Sequence, residues 1–294
     1  MAAAHTTTVA VCVVIVHAHR DDEAALTGGT MAGLAAAGHR MVLVVATDGA
    51  AGLTAPDRLG AGGLAATRSR EVAAEARALG VARVVPLGYP DSGLDGRGTP
   101  STPGGDRAGG LPFPFRPPDG PAERVAAVLA DEHADVVVGY DPNGGYGHCD
   151  HRQVHQVVRM AAARPPATVL LEVTRPREPL AALMRLGPAA GRVVPALAGI
   201  DPRAWASSYT ARPEITHRID VRAHLAGKQA ALRAHTSQTV ADGGPRTVGL
   251  LAGPPSPILA RLIGVEWFIE PGRRRRGRPL TDLLAGLPVR GGRP

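Results

Sequence analysis

Apolar runs alternate with helix-period segments along the first half of the chain, and that alternation predicts an open, mostly parallel α/β sheet. Residues 9–16 (VAVCVVIV) are apolar on both faces and rich in β-branched side chains, the pattern of a buried parallel strand. They end abruptly at His17-Ala18-His19-Arg20-Asp21-Asp22-Glu23. A helix over about 24–38, closed by Gly38, comes next, then a second buried strand at 41–46 and a loop over 47–63. A patterned helix over 65–79 stops at Gly80, and a third strand at 81–87 leads into Gly88-Tyr89-Pro90-Asp91-Ser92. Residues 91–121, dense in Gly, Pro, Asp and Ser, read as a long surface loop. A helix over 122–132 and a fourth strand at 136–140 follow, and the strand ends at a second polar cluster containing His148, Asp150 and His151, where another helix begins.

Beyond residue 165 the pattern loosens into strand-like stretches at 168–174 and 265–270 and a helix over 221–234. The expected organisation is a Rossmann-like core at 1–165 carrying both polar clusters, with a smaller mixed α/β portion at 166–294 completing the pocket. No internal repeat is visible.

Length and composition suit a soluble globular protein: 294 residues with 44% hydrophobic and 20% charged side chains. Aromatics make up only 3%, so the core is built from Ala, Val and Leu. The net charge of +7 would suggest a nucleic-acid or membrane partner. Yet Lys228 is the sole lysine, and an arginine excess alongside abundant Ala and Gly reads as coding bias more than a binding surface. The dense run Arg273–Arg276 with Arg278 lies in a Gly/Pro-rich stretch and is read as a solvated loop. Neither nucleic acid nor membrane is therefore expected as a partner, and self-association into a homo-oligomer stays open. Two cysteines, Cys12 and Cys149, are too few for a disulfide scaffold, and 9–16 is too short to span a bilayer, which points to the cytoplasm.

In open α/β sheets functional groups gather at the carboxyl ends of strands. Two polar clusters fall there: His19/Asp21/Asp22/Glu23 after the first strand and His148/Asp150/His151 after the fourth. An acidic residue at either place could simply cap a helix. Capping leaves the histidines unexplained, whereas two His and one Asp form a set suited to Zn²⁺ with open positions for water and substrate. There is no Gly-x-Ser-x-Gly elbow for a serine hydrolase, and Gly28-Gly29 lacks the spacing of a dinucleotide turn. His17 and His155 read as core or supporting histidines, and His39, His133, His217 and His224 as surface residues.

Ala18-His19-Arg20-Asp21-Asp22-Glu23 and His148-Cys149-Asp150-His151 resemble the paired motifs of the LmbE/PIG-L family of metal-dependent N-deacetylases. Further matches are Gly28-Gly29, Arg68 with Glu71, Leu87 to Gly93, and Ala234 to Gln238, so the resemblance covers most of 9–240. The run Tyr140 to His148 and the ending Thr281 to Leu287 are similar to the actinobacterial mycothiol-pathway enzymes, the N-acetylglucosaminyl-inositol deacetylase among them. The resemblance implies hydrolysis of an N-acyl group, most simply acetyl, from a small-molecule amino sugar or glycoside. It implies His19, Asp22 and His151 as ligands of Zn²⁺, or of Fe²⁺, and Asp21 as general base. It further implies His148 as oxyanion stabiliser or acid, Asp150 orienting it, and Tyr146 at the substrate carbonyl. Arg68 and Asp91 would contact substrate hydroxyls, Glu23 would also bind substrate, and His235 with Gln238 would close the pocket from the C-terminal part.

Three positions depart from the family pattern. Arg20 and Cys149 stand where the family carries proline, and Leu26 stands where the mycothiol enzymes carry a polar or basic side chain. Cys149 reads as a small filler or an oxidisable thiol near the metal. The same resemblance admits an amidase on a mycothiol-type conjugate, or a deacetylase of an antibiotic amino sugar. A binding protein that keeps the fold without the reaction is disfavoured by the intact Asp21, His148 and ligand set.

Overall fold

A computed structural model of the chain describes residues 10–49, 63–93, 110–165, 168–185, 208–236 and 256–287, with short pieces between 240 and 254. Seven strands form one sheet. They are β1 (Cys12–His17), β2 (Arg40–Thr47), β3 (Arg83–Tyr89), β4 (Val136–Tyr140), β5 (Val169–Thr174), β6 (His217–Asp220) and β7 (Val265–Ile269). Their order is β3-β2-β1-β4-β5-β7-β6. The first five run parallel, with Val13 beside Met41 on one side and Val136 on the other. β7 turns antiparallel to both β5 and β6. The strands from residue 169 onward thus extend the same sheet as the first four.

Among the described residues the helices are α1 (Asp22–Leu26), α2 (Gly28–Ala36), α3 (Gly63–Leu79), α4 (Asp119–Asp131), α5 (Cys149–Ala162), α6 (Arg177–Arg185), α7 (Leu225–Ala234) and α8 (Pro257–Ile263). α2, α3 and α7 pack together, as do α4 and α5. Right-handed crossovers place these two groups on opposite faces, which is why the central strands are apolar throughout. β1 and β4 are buried at every position, and β2 at all but Arg40.

The strand order reverses between β1 and β4: after β1 the chain winds outward to β2 and β3, and after β4 to β5. Such a reversal opens a crevice at the carboxyl edge, because the two connections leave in opposite directions. The connections are the two polar clusters read from the sequence, so the topology alone brings them face to face.

Three expectations differ from the structure. The helix expected over 24–38 is two helices, because Thr27 leaves the helical region (φ −130°, ψ −2°), its hydroxyl near the Glu23 carbonyl and the His17 ring. The helix expected over 221–234 begins as a 3-10 turn at Arg222–His224 and becomes α7 at Leu225. His217, expected at the surface, is fully buried. The segment through Leu280 bridges the outer edge of β6 and covers it, and Thr216 Oγ1 lies 2.8 Å from His217 Nδ1. Residues 94–109 of the expected loop lie outside the described residues. Among the described residues no helix is long and apolar enough to cross a membrane.

The lone lysine locks the crevice-forming helices to the sheet. Lys228 on α7 is buried and meets Glu266 on β7 at 2.6 Å. Glu266 also accepts the amides of Gly29 (2.9 Å) and Thr30 (2.8 Å), donors that the start of α2 cannot satisfy within the helix. Gly29 is obligatory there, since a Cβ would come within 2.5 Å of Val221. Glu266→Gln would strand the buried ammonium, and we expect a loss of about 3–5 kcal/mol in urea unfolding. A change below about 1 kcal/mol would mean that the pair is not the clamp the structure describes.

Candidate metal centre

Each of the two connections is shaped by local bonds. After β4, Asp141 accepts the amides of Asn143 (3.1 Å) and Gly145 (2.9 Å), and the hydroxyls of Thr174 and Thr210 cover its other oxygen. This folds the chain through Gly144 and Gly145, both left-handed (φ +66° and +63°). A Cβ on Gly144 would lie 2.8 Å from the Arg152 nitrogen, so glycine is required on two counts. The turn aims the Gly144 carbonyl at His151 Nδ1, 3.2 Å away, on the first turn of α5. After β1, the His19 amide reaches Asp22 Oδ2 at 3.3 Å, closing a tight turn at the start of α1.

His19, Asp22 and His151 meet across the crevice. His19 Nδ1 lies 3.2 Å from Asp22 Oδ2 and 3.3 Å from His151 Nε2, which is itself 3.1 Å from Asp22 Oδ2. In the neutral imidazoles that metal binding requires, the outer contacts decide which nitrogen carries hydrogen. His151 Nδ1 can only donate to the Gly144 carbonyl, leaving the Nε2 lone pair inward. His19 Nε2 faces Asp150 Oδ2 at 3.0 Å and donates to it, leaving its Nδ1 lone pair inward. Two nitrogen lone pairs and a carboxylate oxygen therefore point at one another. In a tetrahedral zinc site with bonds of ~2.0–2.1 Å, ligand atoms lie roughly 3.3 Å apart. The triangle has that size, and a divalent ion answers the electrostatic conflict of three converging acceptors. The residues fit the group.

Around the triangle stand the other expected residues. His148 accepts the Asp150 amide on Nδ1 (3.2 Å), so its Nε2 carries the hydrogen. Burial, then repulsion from His19 and His151, pushes the His148 imidazole down to about 4, which keeps the ring neutral at pH 7. Asp150 lies closer to His19 Nε2 (3.0 Å) than to His148 Nδ1 (3.9 Å), and Ser92 secures it through both amide (3.1 Å) and hydroxyl (2.9 Å). Tyr146 is 42% exposed, with its ring edge-on to His148 and His151 at 5.9 and 5.2 Å, at the mouth of the crevice. Asp21 is half-buried immediately before Asp22. Asp91 is buried, with one oxygen on the Gly93 amide at 3.0 Å. Arg68 belongs to α3, but its side chain lies outside the described residues, as do Ser237 and Gln238. Burial pushes the Cys149 thiol up, and its sulfur lies 3.0 Å from Ser92 Oγ, so it fills space beside Asp150 as a neutral group.

Glu23 and His235 do not face the crevice opening. Both are buried against Glu75 of α3: His235 Nε2 lies 2.9 Å from Glu75 Oε2, and one polar atom from each of Glu23, Glu75 and His235 lies within 4.8 Å of the others. Glu23 Oε2 in turn accepts the Asp21 amide at 3.1 Å. Glu75, Ser92 and Tyr140 are the contributors the sequence reading missed. The signal for Tyr140 was available: it is one of four tyrosines in the chain and closes an otherwise aliphatic strand.

A crevice at the switch point of an α/β sheet, with two imidazoles and a carboxylate converging in it, is a candidate site for one divalent ion. Over residues 14–162 the sequence matches the family PIG-L, described as GlcNAc-PI de-N-acetylase. Relatives named 1D-myo-inositol 2-acetamido-2-deoxy-alpha-D-glucopyranoside deacetylase include one from Acidothermus cellulolyticus, 36% identical with 94% of each chain covered. Another, from Thermobifida fusca, is 36% identical over 92% of this chain and 98% of its own. The fold is shared with the conserved protein TT1542 of Thermus thermophilus, with a TM-score of 0.54 at 18% identity over 92% of this chain and 98% of that one. The chain belongs to the PIG-L family.

The buried acid pair gives a pH-dependent signature. Burial, and then the charges of Asp21 and Asp22, push Glu75 up to about 8 from its ordinary 4.5. A carboxyl raised in the folded state contributes stability that is complete below its unfolded value and lost as pH rises toward about 8. Glu75→Gln cannot lose that proton. The melting temperature of the parent minus that of the variant should therefore fall between pH 5 and 8 and level off above. A difference that stays constant with pH would refute this ionisation.

Proposed function

We propose that the chain hydrolyses the N-acetyl group of a glucosamine-containing small molecule, with a divalent metal ion on His19, Asp22 and His151. The observation that carries the reading is the triangle of inward lone pairs, 3.1–3.3 Å on a side, at the mouth of a crevice. Zn²⁺ suits two nitrogens and one oxygen, and Fe²⁺ is the alternative for the same set. The named deacetylase relatives support an acetamido sugar as substrate.

A bound divalent ion supplies Lewis acidity, bringing the pKa of a water from ~15.7 to roughly 7. Asp21, next to the ligating carboxylate, takes the proton of the attacking water; its amide bond to Glu23 holds that turn in place. His148, neutral with hydrogen on Nε2, donates to the developing oxyanion, and the proton that Asp21 took from the water passes on to the departing amine. Asp150 aligns His19 as a ligand through Nε2, and Ser92 holds Asp150 for that task. Tyr146, standing at the mouth against His148 and His151, closes over the acetyl carbonyl. Arg68 and Asp91 read the sugar hydroxyls. Glu23 and His235 act from behind the turn rather than on the sugar.

A second reading keeps the reaction and changes the substrate: an amidase on a mycothiol-type conjugate, or deacetylation of an antibiotic amino sugar. Leu26, half-buried at the end of α1, favours the antibiotic amino sugar over either mycothiol-type substrate, because the mycothiol enzymes carry a polar or basic side chain at that position. Acetate release from N-acetylglucosaminyl-inositol, set against larger conjugates and glycopeptide sugars, separates the substrates.

Chelation should abolish acetate release and zinc add-back should restore it; turnover indifferent to the metal overturns the reading. Asp21→Asn should lower kcat by roughly 10²–10⁴-fold while one metal ion per chain is retained. His148→Ala should lower kcat by about 10²–10³-fold with little change in KM. Full activity in either variant removes that residue from the mechanism.

A further inference from the structure

Tyr140 closes β4 and is buried behind the triangle. Its ring lies flat on the His151 imidazole, centroids 4.1 Å apart at 14°. Its hydroxyl is 2.7 Å from Asp22 Oδ2, 2.9 Å from His17 Nδ1 and 3.3 Å from the Ala18 nitrogen. A phenol has one hydrogen and two lone pairs. The Ala18 amide can only donate, and an ionised Asp22 can only accept. The phenolic hydrogen therefore goes to Asp22, and His17 Nδ1 must donate to the phenol oxygen. The other nitrogen of His17 faces Thr27 Oγ1 at 2.9 Å, at the break between α1 and α2. A directed chain of hydrogen bonds thus runs from Thr27 through His17 and Tyr140 into the oxygen that faces both His19 and His151.

We infer that Tyr140, backed by His17, is a positioning residue for the metal: its hydroxyl fixes Asp22 Oδ2 and its ring fixes the plane of His151. The inference rests on the proposed ligand set of His19, Asp22 and His151. Asp22 begins a helix of five residues that ends at Thr27, so its own element gives it little rigidity. The restraint comes from β4, the strand across the switch point. By drawing charge from the ligating oxygen, the phenolic hydrogen also tempers how strongly Asp22 neutralises the ion.

Partners outside the ligand shell commonly carry a 10- to 100-fold share of metal affinity. Tyr140→Phe removes the hydroxyl and keeps the ring on His151. Zinc affinity, measured by competition with a chromogenic chelator on the full chain, should fall by roughly 10- to 100-fold in that variant. The visible absorption of the cobalt-loaded variant should shift, because the carboxylate ligand changes its field. His17→Leu should lower affinity in the same direction, since the phenol loses its donor while its hydrogen bond to Asp22 survives. Urea unfolding of the metal-free proteins separates this from a loss of fold, which would not move the cobalt spectrum of the folded fraction. Should Tyr140→Phe and His17→Leu both hold zinc within about twofold of the parent (roughly 0.4 kcal/mol), with an unchanged cobalt spectrum, the positioning role is wrong. A parent chain that binds no zinc at all defeats the ligand reading itself.

Discussion

Asp22 Oδ2 is a pure acceptor at the centre of the crevice. The Tyr140 hydroxyl and the His19 amide point at it, and two imidazole nitrogens converge on it, both bare of hydrogen when the rings are neutral. With neutral rings that arrangement calls for a cation, either a metal ion or a proton, because lone pairs held about 3 Å apart in a low-dielectric crevice repel. The surrounding donors and acceptors enforce it: Asp150 takes the hydrogen of His19 and Gly144 takes that of His151. On the proposed ligand set, the protein would do the conformational work in advance and an ion would meet ligands already oriented.

The sheet makes this arrangement affordable in chain length. Parallel strands buried on both faces give β1 and β4 fixed ends, and reversal of strand order between them leaves the crevice. Everything reactive leaves the sheet within a few residues of those two ends. The C-terminal strands contribute differently: β7 delivers Glu266 to the start of α2, and α7 delivers His235 to Glu75. These distant residues stabilise the turn that carries Asp21 and Asp22 without touching the opening.

The chain's own pattern disclosed the central sheet, because β1, β2 and β4 are unbroken apolar runs ending in polar clusters. Chemical type and position also picked out the histidines and aspartates of the crevice. The break at Thr27 was hidden, since the helical period continues across it and the cause is a hydroxyl held between the Glu23 carbonyl and the His17 ring. His217 was misread because the segment that buries it pairs from residue 280, a contact with no local trace. Tyr140 and Asp22 are 118 positions apart, and Glu75 and His235 are 160 apart, so neither partnership leaves a spacing to read. Asp150, His235 and Glu23 have the expected chemistry with different neighbours. A motif names the residues of such a site, while packing decides which of them face each other.

Anomalous diffraction at the zinc edge from metal-loaded crystals addresses the convergence most directly. The account predicts one peak within about 2.0–2.2 Å of His19 Nδ1, Asp22 Oδ2 and His151 Nε2, with Asp150 and the Tyr140 hydroxyl outside bonding distance. A peak held by His148 or Asp150 in place of Asp22, or one away from the β1–β4 crevice, would contradict it.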